Sequence, residues 1–174
     1  MKCVFLDRDG VINSSNIING KPFAPKKYLD FKILNGVKES IKIIKSLGFK
    51  ISIFTNQPDV KKNKNMKFEV EKMHNFLLLN FDIDHIDVCY HSDEDNCLCR
   101  KPKPGMLERS AKKLKVDLKK SYVVGDRWSD ILCGQIVGCK CFFINNNYKE
   151  RQPCPPYVEI KSLKEFSEIL QNKN

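Results

Sequence analysis

The chain has 174 residues, 41% hydrophobic and 30% charged, the size and balance of one soluble globular domain with a full-sized core. No apolar run approaches bilayer-spanning length, and Asp7, Arg8 and Asp9 interrupt the only apolar stretch near the N-terminus. Neither a membrane span nor a signal peptide is expected, which predicts a cytoplasmic protein. A formal net charge of +10 raises nucleic acid as a partner, but the lysines are spread over every predicted helix and never interleave regularly with aromatics. A solvated basic surface whose field favours a small anionic substrate is the simpler reading.

In chain order, Cys3 to Leu6 is a short apolar run that suits one buried strand, followed at once by Asp7, Arg8, Asp9 and Gly10. Residues 11 to 34, rich in Asn, Ser, Gly and Pro, read as an irregular flap. Val37, Ile41, Ile44 and Leu47 recur at helical spacing before Gly48, and Lys50 to Phe54 forms a second strand ending at Thr55. A basic loop leads to a helix with Met66, Val70, Met73 and Leu77 on one face. Asp84 to Val88 is a third strand, running into a cysteine-rich loop. Pro104 opens a helix bearing Leu107, Ala111 and Leu114. Ser121 to Val124 is a fourth strand ending at Gly125 and Asp126, a helix runs to about Val137, and Cys139 to Ile144 is a fifth strand. Ser162 and Glu165 form a capping box for a last helix with Leu163, Phe166 and Ile169. Strands alternating with helices predict an α/β fold, a Rossmann-like parallel sheet covered by helices on both faces. Residues 1–174 read as a single domain, with the flap and the cysteine loop covering the site in place of a separate cap domain.

The chemistry gathers at predicted strand ends. On an extended chain Asp7 and Asp9 point the same way, out of the carboxyl end of a strand, where open parallel sheets bind ligands. Carboxylates held so close repel unless a cation or proton intervenes. The pair therefore reads as a divalent-metal site that also offers a nucleophile and an acid. Thr55 with Asn56, and Gly125 with Asp126, end two further strands. Thr55 offers a hydroxyl donor at its strand end, and Lys101 and Lys103 are cations in the loop before the Pro104 helix. Asp130 follows Asp126 by four residues, on the same face if a helix has begun there.

Of the eight cysteines, Cys89, Cys97 and Cys99 share one polar loop with His91. Three thiolates and one imidazole match the closed tetrahedral set of a structural zinc site. Cys3, Cys133, Cys139, Cys141 and Cys154 are scattered and read as reduced thiols, mostly small core residues.

Asp7-Arg8-Asp9-Gly10, Phe54-Thr55-Asn56-Gln57, Arg100-Lys101-Pro102-Lys103-Pro104 and Gly125-Asp126-Arg127-Trp128-Ser129-Asp130 occur in that order. Together they resemble the four motifs of the haloacid dehalogenase-like phosphatases, over about residues 2 to 160. The resemblance implies Asp7 as nucleophile and Asp9 as acid/base. It implies Mg²⁺ held by Asp7, Asp126 and the Asp9 backbone carbonyl, with Asp130 behind these ligands. It also implies Thr55 and Lys101 on the phosphate. Lys101 is preferred to Lys103 because in the closest subgroup the lysine directly follows an arginine and the paired cysteines. Asn56, Gln57, Arg100 and Arg127 fall where relatives contact substrate.

With the Cys-x-His and Cys-x-Cys loop, these motifs are similar to the group that contains the D-glycero-D-manno-heptose 1,7-bisphosphate 7-phosphatases and the histidinol-phosphatases. The implied substrate is a phosphomonoester of a small polar metabolite, and a monomer is expected. The Gly-Asp-Arg-Trp-x-Asp stretch and the Tyr148 to Pro153 tail resemble the heptose type, whereas the short spacer from His91 to Cys97 also occurs in the histidinol type. Pro58, after Thr-Asn-Gln, departs from the commoner pattern. Removal of the 7-phosphate in nucleotide-heptose synthesis for lipopolysaccharide or capsule is the favoured expectation. A histidinol-phosphatase, another small-metabolite phosphatase, a DNA 3′-phosphatase and a non-catalytic nucleic-acid-binding domain are the alternatives.

Overall fold

A computed structural model describes residues 1–61 and 63–173. Its centre is a six-stranded sheet in the order β5-β4-β1-β6-β7-β8, in which every neighbouring pair is parallel. The strands are β1 (Cys3–Leu6), β4 (Lys50–Asn56), β5 (His85–Cys89), β6 (Tyr122–Gly125), β7 (Lys140–Ile144) and β8 (Val158–Ile160). β1 is central and buried throughout, which is why its sequence shows no polar alternation. From it the chain first builds outward through β4 and β5, then returns to the other side for β6, β7 and β8. That reversal beside β1 is a topological switch point, where strand ends splay and leave a crevice.

Alternate side chains of β1 enter two cores. Val4 and Leu6 join α1 (Val37–Ser46) and α5 (Leu163–Gln171), with Leu77 from α2 (Lys64–Asn80). Cys3 and Phe5 join α3 (Gly105–Leu114) and α4 (Trp128–Ile136) on the opposite face. In the first core Phe142 and Phe166 meet edge-on with ring centroids 4.8 Å apart, a preferred aromatic geometry. Burying each such ring contributes about 2–3 kcal/mol by area removed from water. Cys3, Cys133, Cys139 and Cys141 are buried thiols and Cys154 is exposed, in keeping with the expectation of mostly core cysteines. Burial pushes both Cys139 and Cys141 up to about 12, so they stay protonated.

Three expectations need correction. A sixth parallel strand, β8, lies beyond β7; its Val158-Glu159-Ile160 run is too short to stand out in the sequence. The flap is narrower than residues 11 to 34, because Val11, Ile12 and Asn13 are at most 1% exposed and belong to the interior. Nor is it irregular: β2 (Asn16–Ile18) and β3 (Lys21–Phe23) form an antiparallel hairpin. Asn19 and Gly20 join them with φ of 53° and 80°. Two successive positive φ values at an Asn-Gly pair make the tight turn that matches strand twist, a signal the polar composition masked. The last helix is capped as expected at one end of the box, where Ser162 Oγ accepts from Glu165 N at 3.3 Å. The Glu165 carboxylate instead accepts from Lys161 N at 2.6 Å, one residue before the cap.

Candidate active site and metal loop

The ends of β1 and β4 and the turn after β6 converge on one cavity of about 70 Å³, lined by Asp7, Asp9, Thr55, Asn56, Lys101 and Arg127 and covered by Pro22 and Phe23 of the hairpin. Asp7 is fixed from below, its amide donating to Val124 O at 2.9 Å across the β1–β6 seam. Lys101 reaches Asp7 from the loop before α3. Its Nζ donates to Asp7 Oδ1 at 2.6 Å and to Phe54 O at 3.1 Å, and lies 2.7 Å from Asp130 Oδ1. Burial alone would pull this ammonium down, but Asp130 and Asp7 outweigh it and Lys101 stays charged. Lys103 is elsewhere: its Nζ donates to Asn96 Oδ1 at 2.6 Å on the far side of the loop.

Asp7, Asp126 and Asp130 form one acidic trio, with an oxygen of each within 4.8 Å of the others. Burial, together with Asp130 and Asp9, pushes Asp7 up to about 7 against the pull of Lys101. Burial and the charges of Asp7 and Asp130 hold Asp126 well above the usual carboxylate range. Three buried carboxylates around one ammonium leave an excess of negative charge on hard oxygen donors, and Asp126 Oδ1 is buried without a partner. That donor set and that charge fit a divalent cation such as Mg²⁺. The backbone is shaped for it. A Cβ at Gly10, whose φ is 88°, would fall 1.8 Å from Asp126 Oδ2, and one at Gly125 would fall 2.2 Å from Asp130 Cβ.

Asp126 precedes α4 and is held by two residues that sequence reasoning gave no role in the site. Tyr148 Oη donates to Asp126 Oδ2 at 2.6 Å, and Asn146 Nδ2 donates to the same oxygen at 3.2 Å. Both follow β7; a polar Asn-Asn-Asn run directly after a buried strand was the signal available. Groups that orient a metal ligand set its affinity. Tyr148→Phe is expected to weaken Mg²⁺ binding about tenfold, read from the Mg²⁺ dependence of the thermal midpoint. An unchanged midpoint curve would show that Tyr148 does not steer Asp126.

Asp130 lies in the first turn of α4, and its Oδ2 accepts from Arg127 N at 2.9 Å. It therefore touches Lys101 and joins the acidic trio, closer to the centre than the spacing from Asp126 suggested. The Asp9 side chain turns away from the trio. Its oxygens accept from Asn13 Nδ2 at 2.9 Å, Gln57 Nε2 at 2.8 Å and the guanidinium of Arg8 at 3.0 Å. Gln57, expected at the substrate, is 4% exposed and also donates to Thr55 Oγ1 at 2.9 Å, so it braces Asp9 and Thr55. Asn56 lines the cavity but also grips the backbone of Lys101, accepting from its N–H at 3.2 Å. Arg127 lines the cavity and is paired with Glu150 at 3.0 Å, while Arg100 is paired with Asp93 at 2.6 Å. Both arginines face an adjoining cavity of about 310 Å³ that also touches Lys21 and Pro58.

Among the described residues a second cluster could hold a metal: Cys89, His91, Cys97 and Cys99. Their sulfurs are 3.3, 3.5 and 3.8 Å apart, and His91 Nδ1 is 3.3 and 3.6 Å from two of them. A tetrahedral zinc has edges of roughly 3.8 Å between sulfurs and roughly 3.6 Å from sulfur to nitrogen. The donor set fits that ion. Cys89 ends β5, and Arg100 N donates to Cys97 Sγ at 3.3 Å, so the cluster ties a sheet strand to the segment carrying Lys101.

The HAD-hydrolase-like family model matches residues 98–165. A D-glycero-beta-D-manno-heptose-1,7-bisphosphate 7-phosphatase of Helicobacter pylori is 33% identical over 178 residues, covering 98% of each chain. The chain belongs to the haloacid dehalogenase-like phosphatases. Another relative of this phosphatase, the D-glycero-alpha-D-manno-heptose-1,7-bisphosphate 7-phosphatase of Photorhabdus laumondii, is 31% identical over 98% of this chain and 97% of its own. Among solved structures, the D,D-heptose 1,7-bisphosphate phosphatase of B. bronchiseptica, complexed with magnesium and phosphate, superposes with a TM-score of 0.83 at 25% identity over 100% of both chains. No helix among the described residues of this phosphatase is long and apolar enough to cross a membrane.

Proposed function

We propose that this phosphatase removes the 7-phosphate of D-glycero-D-manno-heptose 1,7-bisphosphate, in nucleotide-heptose synthesis for lipopolysaccharide or capsule, through an aspartyl-phosphate on Asp7. The observation that carries the reading is Asp7 at a sheet switch point, 2.6 Å from a buried lysine and clustered with Asp126 and Asp130, in a chain similar over its full length to enzymes of that name. Residues 1–174 act as one cytoplasmic, monomeric domain, with the hairpin and the 89–99 loop in place of a cap.

Asp7 attacks the phosphorus in line, and the phosphorus–oxygen bond to the sugar breaks as Asp9 gives its proton to the leaving oxygen. Asp9, now a carboxylate, takes a proton from water, whose oxygen attacks the phosphorus and releases inorganic phosphate and free Asp7. Lys101 and the Thr55 hydroxyl hold phosphate oxygens, and Asn56 keeps the Lys101 backbone in place. Arg127 and Arg100 frame the substrate side, where an anionic sugar displaces Glu150 and Asp93 from them, while Gln57 braces Asp9 and Thr55 behind it. Asp7, Asp126 and the Asp9 carbonyl hold Mg²⁺, which neutralises charge on both nucleophile and phosphate. Cys89, His91, Cys97 and Cys99 hold zinc, which has a structural role.

The test compares phosphate release from the α and β anomers of heptose 1,7-bisphosphate, histidinol phosphate and a 3′-phosphorylated oligonucleotide, each with Mg²⁺. The heptose is expected to exceed the others by at least about tenfold in kcat/KM, since one added set of charge-assisted contacts supplies that much. Faster release from histidinol phosphate would keep the chemistry and replace the substrate.

A further inference from the structure

His74 lies on α2, outside the cavity, and no step above uses it. Its side chain is nonetheless buried, and its Nε2 lies 3.0 Å from Arg8 Nη1. A guanidinium only donates, so Nε2 accepts, and the proton of the neutral ring sits on Nδ1. Burial and the Arg8 charge push His74 down to about 3, so that lone pair is available at neutral pH. Arg8 is 0% exposed and presents its other edge to the neighbouring carboxylate. Nε donates to Asp9 Oδ1 at 3.2 Å, and Nη2 donates to both oxygens at 3.0 Å. The guanidinium is planar and rigid, so fixing Nη1 fixes the plane in which the other donors meet Asp9. The Phe31 ring, 5.7 Å from Arg8 Cζ, closes one side of that plane.

We propose that His74 is a positioning residue for proton transfer at Asp9, acting through Arg8 to set where the Asp9 carboxyl stands against the leaving oxygen. The inference rests on Asp9 being the acid/base. Without the His74 acceptor, a buried N–H of Arg8 has no partner and the guanidinium shifts to find one, carrying Asp9 with it. Asn13 and Gln57 still hold Asp9 from other sides, so the effect is a displacement of the carboxyl rather than its loss.

The experiment uses leaving groups of different need. A sugar alkoxide leaves only with a proton, whereas p-nitrophenolate leaves without one. The ratio of kcat/KM for a sugar phosphate to that for p-nitrophenyl phosphate therefore reports acid catalysis alone. His74→Leu is expected to lower kcat/KM for the sugar phosphate by about 30-fold and for the aryl ester by less than about 3-fold, a part of the roughly 10²–10⁴ that one positioned acid contributes. His74→Gln places an amide oxygen near the Nε2 position and restores the ratio; His74→Asn is too short and does not. Equal losses on both esters, or no loss, would overturn the proposal. Asp9→Asn is the control, with the same leaving-group signature expected. A uniform loss there would reject Asp9 as the acid, and the signature in Asp9→Asn without it in His74→Leu would reject His74 alone. If the leucine protein does not fold, the asparagine and glutamine proteins decide, and equal ratios in those two would overturn the proposal.

Discussion

Replacing Asp7 by asparagine is expected to leave a folded protein that releases no measurable phosphate, a loss of at least ~10⁴-fold or about 5.5 kcal/mol of transition-state stabilisation. The amide keeps the shape of the side chain but offers no anionic oxygen to the phosphorus, so no covalent intermediate forms. The fold should not suffer. Asp7 is one of three buried carboxylates crowded within 4.8 Å, and removing one charge relieves repulsion that burial makes expensive. Lys101 still has Asp130 at 2.7 Å and Phe54 O at 3.1 Å. The thermal midpoint without Mg²⁺ should therefore stay level or rise, while the further rise that Mg²⁺ gives the unmodified protein should shrink. Phosphate release together with a calorimetric scan checks both. Turnover surviving the substitution would place the nucleophile elsewhere.

With zinc held as proposed by the cysteine loop, stripping it is expected to cost both stability and turnover. At a zinc concentration near 1,000 times its dissociation constant, binding adds about 4 kcal/mol, which for a domain of this size moves the midpoint by roughly 10 °C. The kinetic effect follows from connectivity. Cys97 Sγ accepts from Arg100 N, Lys101 follows immediately, and Asn56 grips the Lys101 backbone from β4. A slack loop lets that anchor drift, and misplacing one phosphate-binding cation by about 1 Å can cost on the order of 10² in rate. Chelation, or Cys99→Ser, should therefore lower the midpoint and kcat together. Zinc should reverse the chelated case and Mg²⁺ should not. Full activity at less than a tenth of an equivalent of bound zinc would show that the loop holds its shape unaided.

On the proposed assignment of Arg127 and Arg100 to the substrate side, their pairing with Glu150 and Asp93 sets how that side is balanced. Each arginine already has a carboxylate partner, so an incoming anion exchanges one charge-assisted contact for another. That exchange contributes more to choosing an anionic substrate than to binding it tightly.

The sequence alone determined the parts of this protein that depend on local pattern. A four-residue apolar run bounded by polar residues suits one buried strand. The carboxylates after it then lie at the carboxyl end of that strand, and the spacing of Cys89, His91, Cys97 and Cys99 puts four donors suited to a metal in one loop. The ordered motifs carried the family as well. Tertiary structure alone decided what depends on residues far apart in the chain. Nothing near Asp126 in sequence says that Tyr148 holds it, because the two meet only when the ends of β6 and β7 lie side by side. The resemblance already favours Lys101 over Lys103, but only the path of the loop shows one reaching Asp7 and the other Asn96. Arg8 stands between two carboxylates in the sequence, with no sign there of a partner of its own. Only the packing of α2 shows it buried against His74, since a side chain's partners are set by which helix covers it, and hydrophobic periodicity does not record that.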